Sequence, residues 1–169
     1  YEHRKKNMKK AFLFPGQGSQ FIGMGQELAS QFDIAKDVFS EVDDALGENL
    51  STLMFQGDIK ELTLTKNAQP AIMAVSIAIL RVMSSKGMDL RAIDFFAGHS
   101  LGEYSALCAS GVISLRDTAL ILRKRGLAMQ KAVPEGKGSM VAVLGLTCEI
   151  INELIIKSKC DSHLIQVAN

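Results

Sequence analysis

The 169-residue chain predicts an α/β fold, and three observations carry that reading. Two short apolar runs, residues 10–14 and 93–97, read as buried strands bounded by turn residues. Helix-length apolar or amphipathic stretches follow each of them. The two kinds of segment alternate along the chain, which is the order of an α/β protein.

The first run, KAFLF, ends at Pro15-Gly16. A helix is expected to open near Asp33, a good N-cap residue type, and to stop at Gly47. Pro70 suits a first helical position and opens a long apolar helix toward Gly87. Ile93–Ala97 leads into a helix over Leu101–Ala109. Ser114-Leu115-Arg116-Asp117 resembles a capping box with Asp in place of Glu, and its helix ends before Pro134. Beyond Gly136 the pieces SMVAVLGL, TCEIINELIIKSK and HLIQVAN read as strand, helix and strand, a unit that needs more strands to cover it. The chain thus divides into a basic tail (1–9), a main α/β part (10–133) and an incomplete second unit (134–169).

Composition narrows the function classes. With 47% hydrophobic and 22% charged residues, the chain fits a soluble globular domain, or one domain with a piece of a second. A formal net charge of +1 gives no reason to expect a nucleic acid or an anionic membrane as partner. Cys108, Cys148 and Cys160 are odd in number and form no C-x-x-C pair, so they read as reduced thiols in a cytosolic protein. No apolar run approaches the roughly 20 residues of a membrane span. The basic start, YEHRKKNMKK, is followed only by the short apolar piece Ala11–Phe14. A secretory signal needs an apolar region of about 7–15 residues, so export is not expected. Met8 fits a native start, with residues 1–7 as a solvated tail.

The segment FFAGHSLGE (residues 95–103) places Ser100 between Gly98 and Gly102 in a G-x-S-x-G pattern. Its mechanics are those of a nucleophile elbow, in which a strand ends, one residue takes a strained turn, and a helix begins. The serine oxygen is then exposed near the positive end of that helix. The Leu101 backbone N–H would face an oxyanion formed when Ser100 attacks a carbonyl. A plain strand-to-helix turn is the alternative. The earlier loop FPGQGSQ (14–20) lacks the G-x-x-x-x-G-K-[ST] of a phosphate loop and has no glycine at 21 to complete G-x-G-x-x-G, so nucleotide binding is disfavoured. Gln17, flanked by glycines, either brings a backbone N–H close to a ligand or sits in an ordinary tight turn.

Taken together, FLFPGQGSQFIGMG, NAQPAIMAVSIAIL, AGHSLGEYSALCASGVISLRDT and RGLAMQKAVPEGKGSMVAVLGL resemble the bacterial malonyl-CoA:acyl-carrier-protein transacylases and their polyketide-synthase relatives. The resemblance covers nearly all of residues 11–147. It implies an α/β-hydrolase-like large subdomain, partial over 10–133, and the start of an inserted ferredoxin-like small subdomain over 134–169. It further implies that Ser100 takes malonyl from a coenzyme A thioester as an ester. Ser100 then passes the acyl group to the phosphopantetheine thiol of acyl carrier protein, a ping-pong transfer with no metal or redox cofactor. The oxyanion hole would use the backbone N–H groups of Gln17 and Leu101, and a single cytoplasmic chain is the family expectation.

By the same resemblance the malonyl carboxylate falls to Arg125. The residues support this in part. Ile121 and Met129 lie one turn to either side, on a helix apolar nearly all round, and a buried guanidinium needs a partner. Arg123 and Lys124 have similar neighbours, so periodicity does not separate the three, and a structural pair with an Asp or Glu remains the alternative. Gln69 matches a family glutamine near the pocket; a supporting site role and helix capping stand level. His99 is expected to pack away from the serine oxygen.

Serine needs a base close to its oxygen. His3 lies in the tail, His99 is poorly placed and His163 falls in the last expected strand, so no base histidine is found among the 169 residues. The family base lies past Asn169, and the chain is expected to be an amino-terminal part, a poor catalyst and a poor folder by itself. The competing readings are a serine hydrolase or thioesterase on the same elbow, and a truncated, non-catalytic remnant.

Overall fold

The computed structural model describes residues 8–134, 136–158 and 165–167. The chain forms two compact units, 1–134 and 135–169. The first contains strand β1 (Ala11–Phe14), helices α1 (Gln26–Gln31), α2 (Asp33–Leu46), α3 (Leu50–Gln56), α4 (Ile59–Thr63) and α5 (Thr65–Ser85), strand β2 (Phe95–Gly98), and helices α6 (Leu101–Ala109) and α7 (Leu115–Ala132). β1 and β2 pair in parallel, from Ala11 opposite Phe95 to Phe14 opposite Gly98. Parallel pairing requires a long crossover, which α1 to α5 supply. The Phe96 ring stacks between Phe12 and Phe14, with centroids 5.9 and 6.4 Å away.

The core lies among the helices. Val38, Phe39 and Val42 of α2 meet Ile72, Met73 and Ile77 of α5 and Ala119 and Leu122 of α7. The α2 residues recur at helical spacing, which gives this helix one apolar face. α2 starts one residue earlier than expected: Phe32 is the extended N-cap and Asp33 the first helical residue. It ends at Gly47 in the left-handed conformation (φ 66°), as the glycine predicts.

α5 departs further from expectation. It begins at Thr65, because Asn67 and Ala68 N–H both donate to the Leu64 carbonyl. Pro70 therefore sits inside the helix and, lacking an N–H, leaves the Lys66 carbonyl without its intrahelical donor. This helix is also long and apolar enough to cross a membrane by length and composition, contrary to the count of apolar runs. Most of it is buried inside the protein, the pattern of a core helix.

At α7 Ser114 caps the helix as expected, but the box is not reciprocal, since the Asp117 carboxylate takes the Ser114 hydroxyl in place of its backbone N–H. Ser114 Oγ accepts from Asp117 N–H at 3.0 Å and donates to Asp117 Oδ2 at 2.7 Å. Ser114→Ala should therefore lower stability by about 1 kcal/mol, read as a shift in denaturation midpoint at unchanged m-value.

In the second unit the expected helix is present as α8 (Cys148–Ser158). The strand expected over residues 139–146 is not. These residues are irregular, and Met140, Val141 and Leu144 are exposed. A strand persists only when a neighbour completes its ladder, and β1 and β2 pair solely with each other among the described residues. Most of HLIQVAN, His163 included, lies outside the described residues, as do His3 and Cys160.

Candidate active site

The elbow is built where β2 runs into α6. Ser100 has φ 55° and ψ −110°, and it is the one non-glycine residue with positive φ among those described. Such a conformation costs about 1–3 kcal/mol and persists only where the surroundings over-determine it. Here two glycines do so. A Cβ on Gly98 would lie 2.1 Å from the Gly102 carbonyl carbon and oxygen, and one on Gly102 would lie 2.4 Å from the Phe14 carbonyl oxygen. The strand end, the helix start and the end of β1 are thereby pressed together, and Ser100 is left half-buried at the N-terminus of α6.

Arg125 reaches this serine from α7. Its Nη2 donates to Ser100 Oγ at 2.9 Å and its Nη1 to Gln69 Oε1 at 2.7 Å. The guanidinium carbon lies 5.7 Å from the centroid of the Tyr104 ring, one turn along α6 from the serine. Gln69 is fully buried, and its Nε2 donates to Met129 Sδ at 3.3 Å. Gly126 permits this approach, since a Cβ there would meet Lys66 Cα at 2.5 Å and the Thr65 carbonyl at 2.6 Å.

Geometry now separates the three basic residues that periodicity left level. Arg123 is the structural one: it donates to Asn67 Oδ1 and pairs with Glu48 Oε2 at 2.8 Å. Burial lowers its pKa, against the opposing pull of Glu48. Lys124 is exposed. Arg125 has no carboxylate partner among the described residues. The expectation of a helix apolar nearly all round is corrected: Ile121 and Met129 are 37% and 41% exposed, so the Arg125 face is open and the guanidinium only half-buried.

The Gly16–Gly18 loop lies against the elbow. Gly16 is so close to His99 that a Cβ would fall 2.8 Å from Nδ1, and His99 N–H donates to the Phe14 carbonyl at 3.2 Å. The His99 ring thus packs on this loop, and Ser100 Oγ takes its hydrogen bond from Arg125 instead. Gln17 anchors its side chain on Thr65 Oγ1 (3.2 Å) and, at 3.5 Å, on the Thr63 carbonyl. Neither Gln17 N–H nor Leu101 N–H donates to a backbone carbonyl among the described residues. Tyr104, Thr63 and Thr65 escaped the sequence reading, and Met129 entered it only as an apolar neighbour of Arg125. Their contacts span 21 to 60 positions, for which the chain carries no local signal.

An apolar cleft of about 640 Å³ lies elsewhere, between β1, α1 and α5, lined by Phe12, Leu13, Met24, Ile72 and Met83 among others. It includes neither Ser100 nor Arg125. The polar side chains that meet at the elbow are therefore separate from this cleft.

Comparison with known proteins shows the family. The family model described as the acyl transferase domain matches residues 11–159. A malonyl CoA-acyl carrier protein transacylase of Bacillus subtilis (strain 168) is 52% identical over 161 residues, which are 95% of this chain and 50% of the relative. A solved acyl-carrier-protein-S-malonyltransferase from Bartonella henselae superposes with a TM-score of 0.84 at 57% identity, over 89% of this chain and 48% of that one. A malonyl-transacylase solved in complex with a type II PKS acyl-carrier protein gives 0.82 at 43% identity, over 89% and 48%. The chain spans about half the length of the curated relatives it matches. Its α/β architecture, its strained serine and its match over most of its length place the chain in the acyl transferase domain family.

Proposed function

We propose that the protein carrying this chain transfers malonyl from coenzyme A to the phosphopantetheine thiol of acyl carrier protein through an ester on Ser100. The observation that supports this most is the Arg125 guanidinium 2.9 Å from Ser100 Oγ. It is a fork of donors without a carboxylate partner among the described residues, and it adjoins the nucleophile. A three-carbon acyl group with a terminal carboxylate spans that interval: its carboxylate replaces Ser100 Oγ and Gln69 as acceptors, while its thioester carbonyl meets the serine.

The step balances simply. Ser100 Oγ bonds to the thioester carbon, Gln17 N–H and Leu101 N–H take the oxyanion, and the carbon–sulfur bond breaks with the serine proton passing to the coenzyme A thiolate. In the second half the pantetheine thiol attacks the ester and the proton returns to Ser100. Carrying that proton falls to a group outside the described residues, since Arg125 only donates and His99 packs on Gly16. The solved malonyl-transacylase complex with an acyl-carrier protein supports the choice of acceptor. The reading also takes the main part as α/β-hydrolase-like and residues 134–169 as the start of a ferredoxin-like insert. It places the reaction in the cytoplasm, on a single chain, with no metal or redox cofactor.

The complete gene product, incubated with malonyl-CoA, should gain one malonyl group by intact mass, and Ser100→Ala should abolish it. Holo acyl carrier protein should discharge the ester far faster than water does. Labelling that survives Ser100→Ala, or an ester lost to water as fast as to the thiol, would overturn the proposal.

A further inference from the structure

We infer that Thr65 is a positioning residue of this reaction: its hydroxyl anchors the side chain of Gln17 and so fixes the backbone N–H that meets the oxyanion. The assignment rests on the acyl-transfer reading above and adds a residue to it.

The loop after β1 has no ladder or helix of its own to hold it, and glycines stand on both sides of Gln17. A hydrogen-bond donor there stabilises a transition state only if its place is set to within about 0.5 Å. The restraints come from the start of α5. Gln17 Nε2 donates to Thr65 Oγ1 at 3.2 Å, and the Thr63 carbonyl lies at 3.5 Å. Within the loop, Gly18 N–H is taken by Gln20 Oε1 at 2.8 Å, while Gln20 Nε2 reaches Thr63 Oγ1 at 3.5 Å. Gly18 N–H is thereby used up, whereas Gln17 N–H donates to no acceptor among the described residues.

Thr65 is suited to this task because its own place is fixed. It is the first residue of α5, whose next two turns are buried from Asn67 to Ala74. Its carbonyl lies against Gly126 of α7. Its hydroxyl is not spent on capping α5, which has no side-chain cap. Four residues on, one helical turn away, Gln69 holds Arg125. The opening of α5 therefore carries both anchors: Thr65 for the donor that meets the oxyanion, and Gln69 for the cation that meets the carboxylate.

The two anchors predict different kinetics. An oxyanion develops from any acyl thioester, so loss of the Thr65 hydroxyl should act on malonyl and acetyl alike and only in the transition state. In the complete gene product, Thr65→Val should lower the kcat for loading Ser100 by about tenfold with either thioester and leave KM within about twofold. Thr65→Ser should restore it. Gln17→Met, which keeps the backbone N–H, should copy the loss, and the double variant should be no slower than either single one. An unchanged kcat in Thr65→Val, a loss confined to malonyl, or additive losses in the double variant would each overturn the role of Thr65 while leaving acyl transfer intact. Failure of the unsubstituted protein to load Ser100 would overturn both.

Discussion

Arg125→Ala is expected to slow the loading of Ser100 from malonyl-CoA by about 10²-fold or more, and to leave loading from acetyl-CoA unchanged or faster. The magnitude follows from the guanidinium geometry. Its two terminal nitrogens already point at Ser100 Oγ and Gln69 Oε1, 2.9 and 2.7 Å away, so a substrate carboxylate takes over donors that are in position. Hydrogen bonds to a charged group contribute about 1.5–3 kcal/mol each, and two at the lower bound correspond to about two orders of magnitude. Acetyl has no carboxylate to lose. For it the change removes a cation that donates to the attacking oxygen, which frees that lone pair. Arg125→Lys should fall between, since an ammonium keeps the charge but not the planar fork. Initial loading rates with both thioesters decide the matter. An equal loss with malonyl and acetyl would remove Arg125 from substrate selection.

What could be read in the sequence was what local chemistry dictates. The G-x-S-x-G turn at Gly98–Gly102, the helix over Leu101–Ala109 and the Ser114 cap each depend on residues within five positions of one another, and each is present in the structure. The choice among Arg123, Lys124 and Arg125 was not legible that way. It is made by Glu48 and Asn67, which lie 75 and 56 residues before Arg123 and occupy that side chain. Gln69 is a similar case. Its place near Pro70 is visible in the sequence, but that its carbonyl oxygen meets Arg125 follows from packing of α5 on α7 at Gly126. Residues 139–146 fail in the opposite sense. Their apolar run suits a strand, yet pattern alone makes no ladder when no described strand pairs with it.

Gly102→Ala should produce a large loss of stability for so small a change. Gly102 is helical, within the first turn of α6, and its φ is one that alanine adopts freely, so the conformational effect alone would favour the substitution. Space opposes it. The added Cβ would lie 2.4 Å from the Phe14 carbonyl oxygen and 2.9 Å from that of Pro15, and both are main-chain atoms. No rotamer relieves the contact. α6 must instead move away from the end of β1, which carries the His99 N–H bond to Phe14 and leads into the Gln17 loop. Ser100 and the Gln17 N–H proposed to meet its oxyanion would then shift apart. A loss of about 4 kcal/mol or more is expected, together with loss of Ser100 loading. Gly111 supplies the control, because it takes φ +79° with open space where a Cβ would go. Gly111→Ala should cost only the left-handed strain of about 1–2 kcal/mol and keep loading. Denaturant midpoints of the two variants in the complete gene product separate the cases: equal destabilisation would mean that the contact of α6 with β1 yields, and that the strain at Ser100 is not imposed by the two glycines.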